Sequence, residues 1–199
     1  MDRKRIFIDK KTTPGRRADI VKWAAQHNYD TIVFPLNEKI NAKSEYIKLA
    51  KKYELNIEAG GHELSLLLPR RLFIFHPGLF RMEQGKRKSR WHFCPTNPKT
   101  TKIITERVKN LFTQSMQITT QPRIFHLLPE KGYESTWCSC PACRAFSPSE
   151  QNIIAVNCAA DALAKLDPSA KLSYIEFDET SAASSVAPRK NMFILKETN

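Results

Sequence analysis

The chain of 199 residues predicts an α/β fold in which a parallel sheet is covered by helices. Two observations carry that expectation. Strand and helix signals alternate almost from the first residue, and the strand segments are largely apolar, as strands buried on both faces are.

Ile6-Phe7-Ile8 is a short first strand closed by Asp9. Thr13-Pro14 opens a helix, with proline at a first-turn position where its missing N–H costs little. Ile20, Trp23, Ala24 and His27 follow at helical spacing, and Asn28 is a left-handed stop. Residues 31–36 form the second strand. Ser44 starts a helix whose Tyr46, Leu49, Ala50 and Tyr53 make an i, i+3, i+4, i+7 stripe. The third strand, 55–59, ends at Gly60-Gly61. Residues 63–91 are a long connection rich in Leu, Phe, Arg and Pro, without a clean period. Asn97-Pro98 caps a helix carrying Ile103, Ile104, Val108, Leu111 and Phe112, and 123–128 is the fourth strand. Ser147-Pro148-Ser149-Glu150 is a capping box that starts a helix with Ile153, Val156, Ala160 and Leu163 on its buried face. Asp167-Pro168 ends it, and 172–177 and 192–195 are the last two strands. A (β/α)8 barrel uses eight strands and about 250 residues. Six strands therefore fit either an open α/β sheet or a barrel short of its final strands.

The hydrophobic fraction of 41% is that of a globular chain, read as a single domain over 1–199. No apolar run is long enough to span a bilayer, so no membrane partner is expected. Met1-Asp2-Arg3-Lys4-Arg5 leads straight into a strand, which predicts a cytoplasmic chain, or a secreted one if this is a piece of a longer protein. The net charge of +12 raises nucleic acid as a partner. The charge is dispersed, however. Only 81–90 is dense, with Arg81, Lys86, Arg87, Lys88 and Arg90, and it reads as a solvated basic loop.

Four of the five cysteines follow a metal-ligand pattern, Cys94 and then Cys138-x-Cys140-x-x-Cys143. Thiolates are soft ligands, and a structural zinc site takes four of them in a tetrahedron. Free thiols or a disulfide are the competing readings. The odd cysteine count and the lack of a secretory segment disfavour the disulfide. Cys158, in an apolar helical stretch, reads as a small core residue.

In both architectures function gathers at the C-terminal ends of the strands. Those ends carry Asp9, Asn37-Glu38, Glu58, His62-Glu63, Glu130 with Tyr133, and Glu176 with Asp178-Glu179. This acid-bearing rim with aromatic neighbours suits carbohydrate better than phosphate, for no glycine-rich phosphate loop is present. Gly60-Gly61 permits close backbone approach, which lets His62 point into the mouth, and His76 in the long connection is a candidate lid residue.

Gly60-Gly61-His62, His76-Pro77-Gly78-Leu79-Phe80-Arg81, Phe93-Cys94-Pro95-Thr96-Asn97-Pro98 and Trp137-Cys138-Ser139-Cys140-Pro141-Ala142-Cys143-Arg144 occur in this order. Together they resemble the bacterial family catalogued as domain of unknown function 4838, over nearly the whole chain. Members of that family resemble barrel glycoside hydrolases of the α-glucuronidase and hexosaminidase kind. The resemblance implies a (β/α)8 TIM-barrel type fold, incomplete, with about six strands present. It implies a glycoside hydrolase, or the substrate-binding portion of one, acting on a polysaccharide or glycoconjugate. Glu130 is then the expected general acid, with Glu58, His62, Asn97, Glu176 and Asp178 orienting sugar hydroxyls. The cysteine layout is also similar to the structural zinc site of family-42 β-galactosidases, which implies zinc on Cys94, Cys138, Cys140 and Cys143. The last barrel strands, where such enzymes often hold a second carboxylate, are absent. A non-catalytic carbohydrate-binding remnant is therefore the alternative, ahead of a basic zinc-containing nucleic-acid binder.

Overall fold

Six short strands alternate with four helices in the computed structural model, which describes residues 3–36, 41–130, 132, 136–175 and 185–195. The strands are β1 (Arg5–Phe7), β2 (Thr31–Phe34), β3 (Asn56–Gly61), β4 (Ile124–Leu127), β5 (Lys171–Tyr174) and β6 (Met192–Ile194). They form one sheet in the order β1-β2-β3-β4-β5-β6, every pair parallel. Each strand adds beside its predecessor, with no reversal of order. That is how a (β/α) barrel grows, whereas a doubly wound sheet turns back at a switch point.

The helices start where side chains can satisfy their first N–H groups. Thr13 accepts from Arg16 N ahead of α1 (Pro14–Gln26), and Asn28 leaves that helix at φ 58°. α2 is Glu45–Lys52. Asn97 Oδ1 accepts from Lys99 N at 2.9 Å ahead of α3 (Pro98–Ser115). Ser147 and Glu150 bond reciprocally ahead of α4 (Pro148–Leu166), completing the expected capping box.

Strand residues alternate between the two faces of the sheet. One set meets the helices in two apolar masses. Ile8, Ile32, Phe34 and Ile57 pack with Val21, Ala24, Ile47 and Ala50 from α1 and α2. Ala59, Phe125, Leu127, Leu172 and Tyr174 pack with Val108, Phe112, Val156 and Leu163 from α3 and α4. The alternate set carries polar Arg5, Glu58, His126 and Ser173 beside apolar Phe7 and Val33.

The third strand runs past its expected end to include both glycines. Gly60 has φ 132° and lies opposite His126 in the register. A Cβ there would stand 2.0 Å from the His126 carbonyl oxygen, so only glycine lets β3 and β4 approach this closely.

The aperiodic connection resolves into three 3-10 turns, Leu64–Leu67, Arg70–Phe73 and Pro77–Leu79, followed by a small hairpin. Its strands, Met82–Glu83 and Lys86–Arg87, pair antiparallel across Gln84 and Gly85, which take φ 48° and 75°. The dense basic run is therefore not a simple solvated loop. Arg81 is buried, and Arg87 donates to Phe80 O at 2.7 Å.

Candidate functional site

The ends of β3 and β4 converge on Glu130. His62 Nδ1 lies 2.5 Å from Pro129 O. A carbonyl can only accept, so Nδ1 carries a proton and Nε2 lies on the opposite side of the ring from this bond. Ser65 Oγ donates to Glu130 Oε1. Arg70 donates to the carbonyls of Ser65 at 2.7 Å and Ser89 at 2.9 Å, and also to that of Trp91. Burial lowers the Arg70 pKa, and the nearby Glu130 charge works against that shift. Glu63, next to His62, accepts from Leu36 N at 2.7 Å and so ties β2 to this end of the sheet. The arrangement gathers a carboxylate, a hydroxyl and an imidazole, groups that bond hydroxyls and can move a proton.

Of the residues expected at the mouth, the structure brings His62 and Glu130 to adjacent strand ends. Asn97 is turned to structural work, capping α3 through Oδ1 and donating Nδ2 to Gly78 O at 3.1 Å. Glu176 and Asp178 lie outside the described residues, as do Asn37, Glu38, Tyr133 and Glu179. His76 is exposed. Ser65 and Arg70 were missed, for they lie in the connection without a period. The one available signal was an arginine following Pro69 just after the strand end.

Glu58, expected as an orienting acid, is instead enclosed, its side chain 1% exposed. Arg3 Nη1 lies 2.8 Å from Oε1 and Arg5 Nε 2.6 Å from Oε2. His126 Nε2 is 2.8 Å from Oε2, and His126 Nδ1 is 2.7 Å from Ser173 Oγ. Burial pushes Glu58 up, but hydrogen bonds from His126 and Arg5 outweigh it and hold the carboxyl at about 2. Burial lowers His126 more than Glu58 raises it, so the imidazole is neutral. It gives Nε2–H to the carboxylate and accepts the Ser173 O–H at Nδ1. Phe7 sits edge-on to this ring, with centroids 5.1 Å apart. The network locks four strands together through the polar face of the sheet.

A second cluster forms where the connection after β3 meets the turn before α4. Cys94, Cys138, Cys140 and Cys143 are all buried, their sulfurs within 4.8 Å of one another. Cys94 Sγ is 3.7 Å from Cys140 Sγ and 3.6 Å from Cys143 Sγ. Sulfurs about 2.3 Å from a tetrahedral ion stand about 3.8 Å apart, so this spacing and donor set fit a metal. The Cys94 thiol is pulled down, first by hydrogen bonds from Cys138 and Cys143, while Cys143 is pushed up by donating to those same sulfurs and by burial. One thiolate thus makes the next costlier, a conflict that a divalent cation would remove.

The surroundings hold this cluster firmly. Met82 N donates to Cys138 Sγ at 3.2 Å, and Ser139 N and Oγ both donate to Met82 O at 2.8 Å, clamping the hairpin to the cysteine turn. Buried Gln151 on α4 accepts from Cys138 N and donates to the carbonyls of Cys138, Cys143 and Phe146. Cys158 stands apart, half-buried, with its thiol donating to Ile154 O.

The singly wound sheet and the polar groups at its strand ends define a protein of (β/α)-barrel type with a mouth formed by the loops after β3 and β4. Residues 7–195 match the family described as Domain of unknown function (DUF4838), and the chain belongs to it. Among solved structures, it is similar to the tandem family-20 glycoside hydrolase catalytic modules of the pneumococcal exo-β-D-N-acetylglucosaminidase StrH. The TM-score is 0.63 at 14% identity, over 96% of this chain and 58% of that one. It is also similar to a β-N-acetylhexosaminidase, with a TM-score of 0.57 at 14% identity, over 88% of this chain and 46% of that one. These likenesses establish the fold, and the chain spans about half the length of these two structures. No curated protein matches it.

Proposed function

We propose that the chain is a glycoside hydrolase-like barrel that engages a polysaccharide or glycoconjugate at the mouth formed by His62, Ser65 and Glu130, with Glu130 as proton donor. The observation that carries this reading is the convergence on Glu130. The carboxylate sits just past β4, held by the Ser65 hydroxyl beside Arg70, while His62 anchors the neighbouring carbonyl and keeps Nε2 for a ligand. Strand ends are where barrels of this fold place their chemistry. Likeness to hexosaminidase modules supports a carbohydrate ligand.

Glycan binding without hydrolysis is the second reading, and a specific observation favours it. Glycosidases of most families need two carboxyl groups, yet among the described residues on and just after β3, the strand beside that of Glu130, Glu58 and Glu63 are both turned into the protein. A screen of chromogenic glycosides tests the two readings, run on the 199-residue chain beside the longest polypeptide in which it occurs. Hydrolysis that Glu130→Gln abolishes supports the leading reading, and hydrolysis that survives it removes Glu130 from the role. Glycan binding without turnover in either form supports the second.

The four-cysteine centre belongs to the same proposal as a zinc site. Soft donors at tetrahedral spacing support zinc, and four thiolates leave no open position for water, so the ion would stabilise the fold rather than activate a nucleophile. Metal analysis of purified protein tests it, with about one equivalent of zinc per chain expected. Less than about half an equivalent with all four thiols reactive would overturn it.

A further inference from the structure

We propose that the segment 69–91 docks this protein on an anionic lipid surface, a role independent of the glycan reading. Ile74 and Phe75 are adjacent and 75% and 79% exposed, well above the 38–46% of the other exposed large hydrophobics. They follow the 3-10 turn Arg70–Phe73, which is firmly seated. Phe73 lies edge-on to buried Phe80, with centroids 5.3 Å apart. The Arg70 guanidinium lies over the same ring at 5.7 Å, and His76 N bonds Leu72 O at 2.8 Å. Leu72 and Phe73 pack on the core, so the two residues after them are displayed outward by a braced turn.

The same segment carries seven Arg and Lys residues against one acid, Glu83. That net +6 is half the charge of the whole chain, and Glu83 is already paired with Arg81 at 3.4 Å. Arg71, Lys86, Lys88 and Arg90 are exposed. The turn and the basic hairpin are both seated on Phe80, where Arg70 covers the ring and Arg87 bonds the carbonyl, so the apolar pair and the cations are carried by elements braced on one buried residue. A nucleic acid or sulfated polymer would satisfy the cations but give Ile74 no apolar medium. An acidic bilayer supplies both, with headgroup charge above and hydrocarbon beneath. No helix among the described residues is long and apolar enough to cross a membrane, so the contact is one of lying on the surface.

Co-sedimentation of the full chain with vesicles tests this. One set is pure phosphatidylcholine and the other an equimolar mixture with phosphatidylglycerol. Binding is expected to the mixed vesicles only, weakening as salt is raised. The double change I74S/F75S should lower partitioning at least about tenfold through lost apolar insertion. The charge reversal K86E/K88E should lower it comparably. W23S, which removes an exposed aromatic on α1, should leave binding unchanged and so excludes general stickiness. All of these side chains are exposed, and an unaltered circular dichroism spectrum verifies folding. The proposal is overturned by absence of binding to mixed vesicles, by equal binding to pure phosphatidylcholine, or by binding that survives I74S/F75S. Salt-sensitive capture of heparin or DNA without vesicle binding would assign the patch to a soluble polyanion and equally overturn it.

Discussion

Glu58 on β3 and His126 on β4 are bonded at 2.8 Å with side chains almost wholly removed from solvent, and the imidazole N–H helps to keep the carboxylate ionised. The carboxylate needs the imidazole N–H. The imidazole, kept neutral by burial, needs the Ser173 hydroxyl on its far side.

Stability is therefore expected to fall with acid in two stages. Both folded pKa values lie below their ordinary values, so the unfolded chain takes up protons that the folded chain refuses. The His126 contribution is present above about pH 6.5 and declines below it. The Glu58 contribution, on the order of 3 kcal/mol, is full above about pH 4.5 and is lost as pH falls towards about 2. Urea midpoints across this range check the sign. A protein that grew more stable on acidification would contradict it.

Glu58→Gln removes the charge but keeps the shape. It leaves Arg3 and Arg5, with side chains only 11% and 12% exposed, facing a neutral amide. A loss of about 3–5 kcal/mol is expected, as for a broken buried ion pair. Ser173→Ala, which orphans only His126 Nδ1, should cost about 1–3 kcal/mol. Chemical denaturation of both variants measures the ratio, and a larger loss for Ser173→Ala would refute the hierarchy.

Gly60→Ala should be far more damaging than Gly61→Ala. At Gly60 the new methyl meets the backbone oxygen of His126 at 2.0 Å, and that oxygen cannot swing aside. At Gly61 its nearest neighbour is Phe7 Cδ1 at 3.9 Å. Both sites strain at positive φ, but only the first forces β3 and β4 apart, costing about 3 kcal/mol or more. Thermal melts of the pair supply the comparison.

Gln151→Leu tests the bracing of the cysteine turn. The amide makes four hydrogen bonds to the turn backbone, so its loss should loosen Cys138 and Cys143. If the proposed zinc is bound there, its affinity should drop about 10–100-fold, the usual cost of removing a group that orients metal ligands. Competition with a chromophoric chelator reads it directly. Unchanged affinity would show that the sulfurs need no such support.

Strands and helices were legible because burial imposes a period, and helix starts were legible because Thr13, Asn97 and Ser147 can satisfy N–H groups. The cysteine centre was legible from spacing alone. What escaped was depth along a strand. Glu58 reads as a rim acid, since sequence does not say that Arg3, Arg5 and His126 close over it. The hairpin at Gln84-Gly85 escaped because its strands are only two residues long, although a glycine between charged residues was a turn signal. The tight Ser65–Glu130 contact joins residues 65 positions apart, which no local pattern reports.

The apolar interior is not one mass but two, meeting along β3, with α1 and α2 belonging to one and α3 and α4 to the other. Such a molecule has a natural line of fracture. Across it run the polar tether of Glu58 and the stitch at Thr120, whose N–H reaches Ile57 O and whose hydroxyl oxygen accepts from Ile57 N. Backbone amides in α1 and α2 should exchange with deuterium as one cooperative block, and those in α3, α4 and β5 as a second block with its own opening energy. Acid, which cuts the Glu58 tether, should separate the two rates further before either half unfolds.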